Sequence, residues 1–313
     1  AQSLHINTLG TNGYSDIVRE FGAATTGVHE VAMSIYVPST DGGYFNLMHD
    51  YNVGGPNTWA IEVYLDGTAG SGVIEYGSSA TGGTIGTFGF TPDAWNDMVF
   101  VIDLDNDWAE AWVNGSPIVG WQWSDGNTGV YGAFDAVNLY SAAPAGLSAN
   151  MYVDDFCFQA SDRVPVTFQV DMSQETVSAD GVHVAGDFQG WNPGVTRLSD
   201  NGSGVYSYTS YLLPNSTYEF KFVNGNAWGT DESVPSACAQ NNNRFVQVGA
   251  SAVTTPLVCF GSCTTCTTVQ PVSVTFQVDM SQETVSADGV HIAGEFQGWD
   301  PAGTPMADQG NGV

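Results

Sequence analysis

Two stretches of this 313-residue chain set a tryptophan at a turn in the same way: GVHVAGDFQGWNPG from Gly181 to Gly194, and GVHIAGEFQGWDPAG from Gly289 to Gly303. Trp191 and Trp299 either plug a small core or hold out a flat face to a ligand. A flat indole can cover the apolar face of a ligand, whose polar groups then need directed donors and acceptors. Trp228 closes TYEFKFVNGNAW, just after an Asn-Gly turn. Four cysteines, Cys238, Cys259, Cys263 and Cys266, gather in SACAQNNN and VCFGSCTTC. They can form two disulfides in three connectivities. A four-thiolate zinc site is the rival, but zinc ribbons offer two Cys-x2-Cys knuckles and only one is present. Disulfides in an oxidising compartment are the expectation. Cys157, in the strand-like VDDFCF, is expected to be a buried thiol.

Catalytic spacings are missing. A retaining glycosidase needs two carboxyl groups about 5–5.5 Å apart. Glu30, Glu62, Glu75 and Glu110 each stand alone along the chain. The histidines His5, His29, His49, His183 and His291 are dispersed, with no His-Glu-x-x-His; His183 and His291 are expected on the surface of equivalent strands. There is no Gly-x-Ser-x-Gly elbow and no phosphate loop. The expectation is a protein without catalytic activity.

The elements that must carry these residues are strands. Gly, Asn, Asp, Ser and Thr are scattered among short apolar runs, which reads as strands joined by tight turns. MVFVIDL (98–104), HEVAMSIYV (29–37), TWAIEVYL (58–65), AFDAVNLYS (133–141) and NMYVDDFCF (150–158) are strands of a first unit, residues 1–160. Asn114-Gly115 marks a hairpin within WAEAWVNGSPIVGW. A second unit, 164–268, alternates in VTFQVDM (166–172) and in TYEFKFV, where Tyr218, Phe220 and Phe222 oppose Glu219 and Lys221. A third, 272–313, repeats the second: Val166–Trp191 and Val274–Trp299 match at 24 of 26 positions, differing only at Val184/Ile292 and Asp187/Glu295. It has no counterpart of TYEFKFV or RFVQVGA, so its core is expected to be incomplete. Either the natural chain continues or another chain adds the missing strands. The fold class is all-β: a jelly-roll sandwich followed by immunoglobulin-like β-sandwich repeats.

Charge narrows the partners. Five Lys+Arg against 33 Asp+Glu give a net charge of −28, which repels nucleic acid and anionic membrane. No apolar run reaches the length of a membrane span. The first residues, AQSLHINTLG, have no basic start and no apolar stretch, so no signal peptide is expected in them, and Ala1 is expected to fit a mature end.

Taken together, VHVAGDFQGWNPG, YEFKFVNGNAWGTDE and NNNRFVQV resemble the glycogen- and starch-binding modules of carbohydrate-binding families 48 and 20 over about 100 residues. The resemblance implies that Trp191 and Trp228 are stacking platforms, with Trp299 their repeat. It implies that Lys221, Asn242 and Asn243 reach sugar hydroxyls, and that an α-glucan or a cell-surface polysaccharide is the partner. The first unit, through DAWNDMVFVIDLDNDWAEAWVNG and YVDDF, resembles laminin-G-like, concanavalin-type jelly rolls that bind glycans or proteins, often with calcium. Asp154 and Asp155 are the calcium ligands this implies, since hard oxygen donors suit that ion. The whole order resembles bacterial surface proteins exported by the type IX route, and places the protein outside the cell or on its surface. Two functions follow from these readings: a glycan-binding adhesin, or a self-associating filament or sheath subunit whose sandwiches are spacers.

Overall fold

The computed structural model describes residues 3–9, 13–77, 83–125, 132–266, 273–310 and 312–313. The first sandwich stacks two antiparallel sheets. One runs, edge to edge, Ser116–Gln122, Trp108–Val113, Trp95–Asp103, Val28–Tyr36, Asn150–Ala160, Leu4–Leu9 and Gly13–Tyr14. The other runs Asp16–Ala24, Phe134–Tyr140, Gly42–Asp50, Thr58–Asp66, Ser71–Tyr76 and Thr84–Gly89. Alternation explains the layering. In Val28–Tyr36, Val31, Met33 and Ile35 point inward to meet Phe45, Leu47, Ile61 and Val63 of the facing sheet, all buried. Asn114 and Gly115 take positive φ at the expected hairpin, joining strands that pair Val113 with Ser116.

The second sandwich pairs Val164–Asp171 with Val205–Leu212 in one sheet and Ser216–Val223 with His183–Gly186 and Arg244–Val248 in the other. Its core is Phe168, Val170, Val184, Phe188, Phe220, Phe222 and Val246. This is an all-β molecule, jelly roll first and immunoglobulin-like sandwich second. Two details differ from expectation. Cys157 is exposed, because a bulge between Asp154 and Cys157 turns it out of the strand's buried face. His183 is buried at 4% exposure, because it pairs with both Val223 and Arg197.

The two sandwiches belong to one compact unit, residues 1–266. Apolar Val101 and Trp112 of the first join the core of the second. Glu110, fully buried, accepts from Trp112 Nε1 (2.8 Å), Tyr208 Oη (2.9 Å) and the Tyr211 amide (2.9 Å). Tyr211 Oη donates to Asp103 (2.9 Å). Arg163 pairs with Glu30 at 3.2 Å, donates to the Tyr211 carbonyl and lies over the Trp112 ring at 4.5 Å.

Burial pushes the Glu110 carboxyl up to about 7 against the pull of these donors. Its proton is thus held more tightly in the folded state than in the unfolded chain, so the folded protein loses stability as pH rises from about 4.5 to about 7. At ~1.4 kcal/mol per unit the loss is about 3 kcal/mol. Unfolding free energies measured across that window should fall for the wild-type chain and fall less for Glu110→Gln. Parallel curves would remove Glu110 as the cause.

The residues after 266 form a second compact unit, 267–313. The sequence boundary at 268–272 lies outside the described residues. Among the described residues this unit has no strand, only a 3-10 turn at Glu295–Gln297 and a bridge between His291 and Pro305. The sequence predicts an incomplete copy here, without counterparts of TYEFKFV and RFVQVGA. Val274, Phe276, Val278 and Phe296 are exposed, whereas their equivalents Val166, Phe168, Val170 and Phe188 are buried by strands this unit lacks.

Candidate functional site

The Trp191 turn is assembled locally. After Gly186 the chain makes one 3-10 turn, Asp187–Gln189, and then Gly190 and Trp191 both adopt left-handed backbone, φ 67° and 59°. Such a conformation is uncommon for a bulky residue and needs outside support. Three contacts provide it. The Trp191 amide donates to the Gly186 carbonyl (2.9 Å), its indole Nε1 to Asp187 Oδ1 (2.8 Å), and Asp187 Oδ2 accepts the Glu219 amide (2.8 Å). Beneath the turn, buried Gln189 donates to the carbonyls of Val184 and Asn192 and accepts from the Asn192 amide. The indole is therefore clamped by both its own nitrogen and its own amide.

Trp228 arrives from the loop between Val223 and Asp231, which are bridged to each other. Asn224 N–H donates to the Thr230 carbonyl, and Thr230 Oγ1 donates to that of Ala227, closing the loop on itself. The two indoles stand 6.3 Å apart between centroids with their planes at 36°. Trp228 is 48% exposed and Trp191 half-buried. Neither belongs to the core of the sandwich. Two rigid aromatic faces thus meet at the surface, an arrangement suited to an amphipathic ligand with an apolar face.

Of the polar residues expected beside them, Lys221 and Asn243 bond to other side chains. Lys221 points off the apolar face of its strand, as the alternation predicts, and pairs with Asp231 at 2.9 Å. That hydrogen bond holds the Asp231 carboxyl below the usual carboxylate range, while the other Asp231 oxygen accepts the Gly229 amide next to Trp228. The ion pair therefore braces the loop. Asn243 donates to Glu219 (2.9 Å), joined by Asn241 (2.6 Å) and Gln240 (3.0 Å). These donors, Asn243 foremost, hold Glu219 low. Asn242 is exposed at the tip of the same turn, in left-handed backbone with φ 66°. Trp299 repeats the Trp191 turn in the second unit, with φ 60°, its amide on Gly294 (2.8 Å), and 68% exposure. No ring of the described residues stands beside it as Trp228 stands beside Trp191.

Asp154 and Asp155 lie at the bulge, where the Asp155 amide donates to Asp154 Oδ1 (2.9 Å) and Asp155 takes φ 50°. Among the described residues no group of three or more His, Cys, Asp or Glu side chains could hold a metal. Calcium takes six to eight oxygens, so two carboxylates do not make the site the resemblance implies. The cysteines pair as Cys238–Cys263 and Cys259–Cys266, one of the three open connectivities.

One pairing escaped the linear spacing. Glu62 and Glu75 sit directly opposite on neighbouring strands, flanked by Tyr44 and Tyr64, both of which donate to Glu62 Oε1 (2.7 and 3.3 Å). Burial and this carboxylate push the Tyr64 hydroxyl up to about 12. The only sequence signal was the alternation Tyr-x-Asn and Glu-x-Tyr on two strands, which is silent about register.

No family model matches the chain, and no curated protein is significantly similar to it. Among solved structures, sheep galectin-11 in complex with glycerol is similar over 46% of this chain and 96% of that one, at 11% identity and a TM-score of 0.32. A carbohydrate-binding module, CBM66 from Bacillus subtilis, is similar over 50% and 92%, at 7% identity and a TM-score of 0.34. An alginate lyase, A1-II', is similar over 49% and 73%, at 14% identity and a TM-score of 0.35. Likenesses this loose say nothing of what this chain binds. No helix of the described residues is long and apolar enough to cross a membrane.

Proposed function

We propose that the protein is a non-catalytic extracellular binding or adhesion protein, and that its second sandwich holds a glycan across Trp191 and Trp228. The carrying observation is the clamped, surface-held indole pair, 6.3 Å apart and outside the core. Structural tryptophans gain from burial; a bulky residue kept in left-handed backbone at the surface is a cost that a ligand contact explains. An α-glucan is the sugar class we assign, on the resemblance of GDFQGWNPG and YEFKFVNGNAW to starch-binding modules. Two disulfides support an oxidising, extracellular setting, and export by the type IX route is part of the same reading.

The experiment is a titration of the whole chain with glycogen and soluble starch, followed by tryptophan fluorescence. Saturable quenching is expected, weakened by roughly 1–3 kcal/mol in Trp191→Ala and in Trp228→Ala. Quenching unchanged in both folded variants would end the proposal. A second reading, a self-associating surface subunit, draws on the exposed Phe276, Val278 and Phe296 of the second unit. Electron microscopy with and without chelator tests it: ordered fibres would favour it, and a dispersed monomer would count against it.

A further inference from the structure

Within the second compact unit lies an apolar cleft of about 610 Å³, lined by Val274, Phe276, Val278, Val285, Ile292 and Met306. Soluble chains rarely leave so many neighbouring apolar side chains uncovered. The complete copy of the same sequence shows what covers them.

In the second sandwich a hairpin, residues 205–223, does so. Its first strand, Val205–Leu212, pairs with Val164–Asp171 along its whole length, Leu212 opposite Val164 and Val205 opposite Asp171. Its second strand, Ser216–Val223, pairs with His183–Gly186, Val223 opposite His183 and Phe220 opposite Gly186. That strand brings Phe220 and Phe222 into one core with Val166, Phe168 and Val170, and the Phe220 ring meets Phe168 at 4.9 Å. Arg244–Val248 pairs with the hairpin and not with the earlier strands. In the later copy the matching backbone, residues 274–279 and 292–294, pairs with no strand of the described residues. An unpaired run of N–H and C=O groups beside an apolar face is a template for added strands.

The later copy already holds the shape that the hairpin meets in the earlier one. Phe276 and Phe296 stack at 5.3 Å and 18°, as Phe168 and Phe188 do at 4.9 Å and 16°. The Met306 amide donates to the Val290 carbonyl at 2.8 Å, the same distance as from Leu198 to Val182. Gln297 Nε2 donates to the carbonyls of Ile292 and Asp300 at 3.2 and 2.5 Å, as Gln189 does to those of Val184 and Asn192. A surface arranged in advance needs little ordering on binding. Its charge is one-sided: Asp279, Glu283, Asp288, Glu295, Asp300 and Asp308, with no lysine or arginine after residue 273. An acidic partner is therefore repelled.

We propose that this face is a preformed acceptor for a β-hairpin brought by a partner polypeptide, neutral or basic and patterned like residues 205–223. One strand pairs along 274–279 and the other along 291–294, and the aromatic side chains of the second fill the cleft. Trp299 does not line this cleft, so hairpin binding stands apart from the glycan reading.

The test is amide hydrogen exchange of the full chain, resolved by NMR, with and without a synthetic peptide of residues 205–223. Saturable one-to-one binding is expected, with the amides of 274–279 and 291–294 exchanging at least ~10-fold more slowly. A peptide carrying Phe220→Asp and Phe222→Asp, and the Phe276→Asp chain, should each bind about 10- to 100-fold more weakly, the effect of losing buried aromatic area. Phe276 is exposed, so thermal unfolding of the first unit should be unchanged in that variant. A second chain, with residues 205–223 joined after Val313 through a Gly/Ser linker, presents the hairpin at high effective concentration. Protection in the tethered chain alone would overturn a partner in trans, and protection in neither would overturn the acceptor. Affinity indifferent to Phe276→Asp, a peptide effect confined to 166–172, or a chain already dimeric through 274–279 before peptide is added would overturn it equally.

Discussion

Glu232→Ala is expected to destabilise the first unit by about 3–5 kcal/mol, the effect of stripping one partner from a buried ion pair. Glu232 is 1% exposed and Arg244 7%. The carboxylate meets the guanidinium through both nitrogens, Nε on Oε1 (2.7 Å) and Nη2 on Oε2, and also accepts the amides of Phe222 and Gly261, each at 3.0 Å. Arg244 Nη2 donates further to the Ser262 carbonyl (2.9 Å). The carboxylate thus joins the central strand, the following strand and the cysteine-rich segment at one point. Alanine would leave the guanidinium buried without a counter-charge and orphan two amides. Replacing both partners with apolar residues of similar size should cost much less, because no charge is then stranded. Urea unfolding of the single and double variants decides it; a single variant within 1 kcal/mol of wild type would show that water reaches the pair.

Opening Cys238–Cys263 should cost a comparable amount. The bridge spans 25 residues, and the entropy of closing such a loop corresponds to about 3.5 kcal/mol. The shorter bridge, Cys259–Cys266, spans 7 residues and by the same relation contributes ~2.4 kcal/mol. The paired variant Cys238→Ser/Cys263→Ser should therefore lower the melting temperature more than Cys259→Ser/Cys266→Ser. It should also loosen the Gln240–Asn243 turn, which follows Cys238 directly and clasps Glu219. A reversed order would mean that the bridges act through native contacts and not through the unfolded chain.

What could be read along the chain was whatever depends on neighbours in sequence. The alternation of Val31, Met33 and Ile35 placed a strand within a residue of its ends, and Asn114-Gly115 placed its hairpin. The outward face of Lys221 followed from the same period. What depends on register or on a second element was not legible. Nothing in the spacing says that Trp191 meets Trp228, that Glu62 faces Glu75, or that Lys221 is spent on Asp231. The bulge that exposes Cys157 is one inserted residue, invisible to a pattern of period two. Least legible was the seam: Glu110 reads as an isolated acid in an apolar strand, and only the partner strand's tyrosines make it a buried acceptor.

The seam also separates the two copies of the repeat. Arg163, which grips Glu30 and lies over Trp112, corresponds in the later copy to Pro271, and Pro165 to Ser273, whereas the 26 positions from Val274 to Trp299 keep 24 identities. The identities run through the buried strand residues Val166, Phe168 and Val170 as well as the turn, so the two copies share the module itself and differ at the residue that ties the first of them to its neighbour.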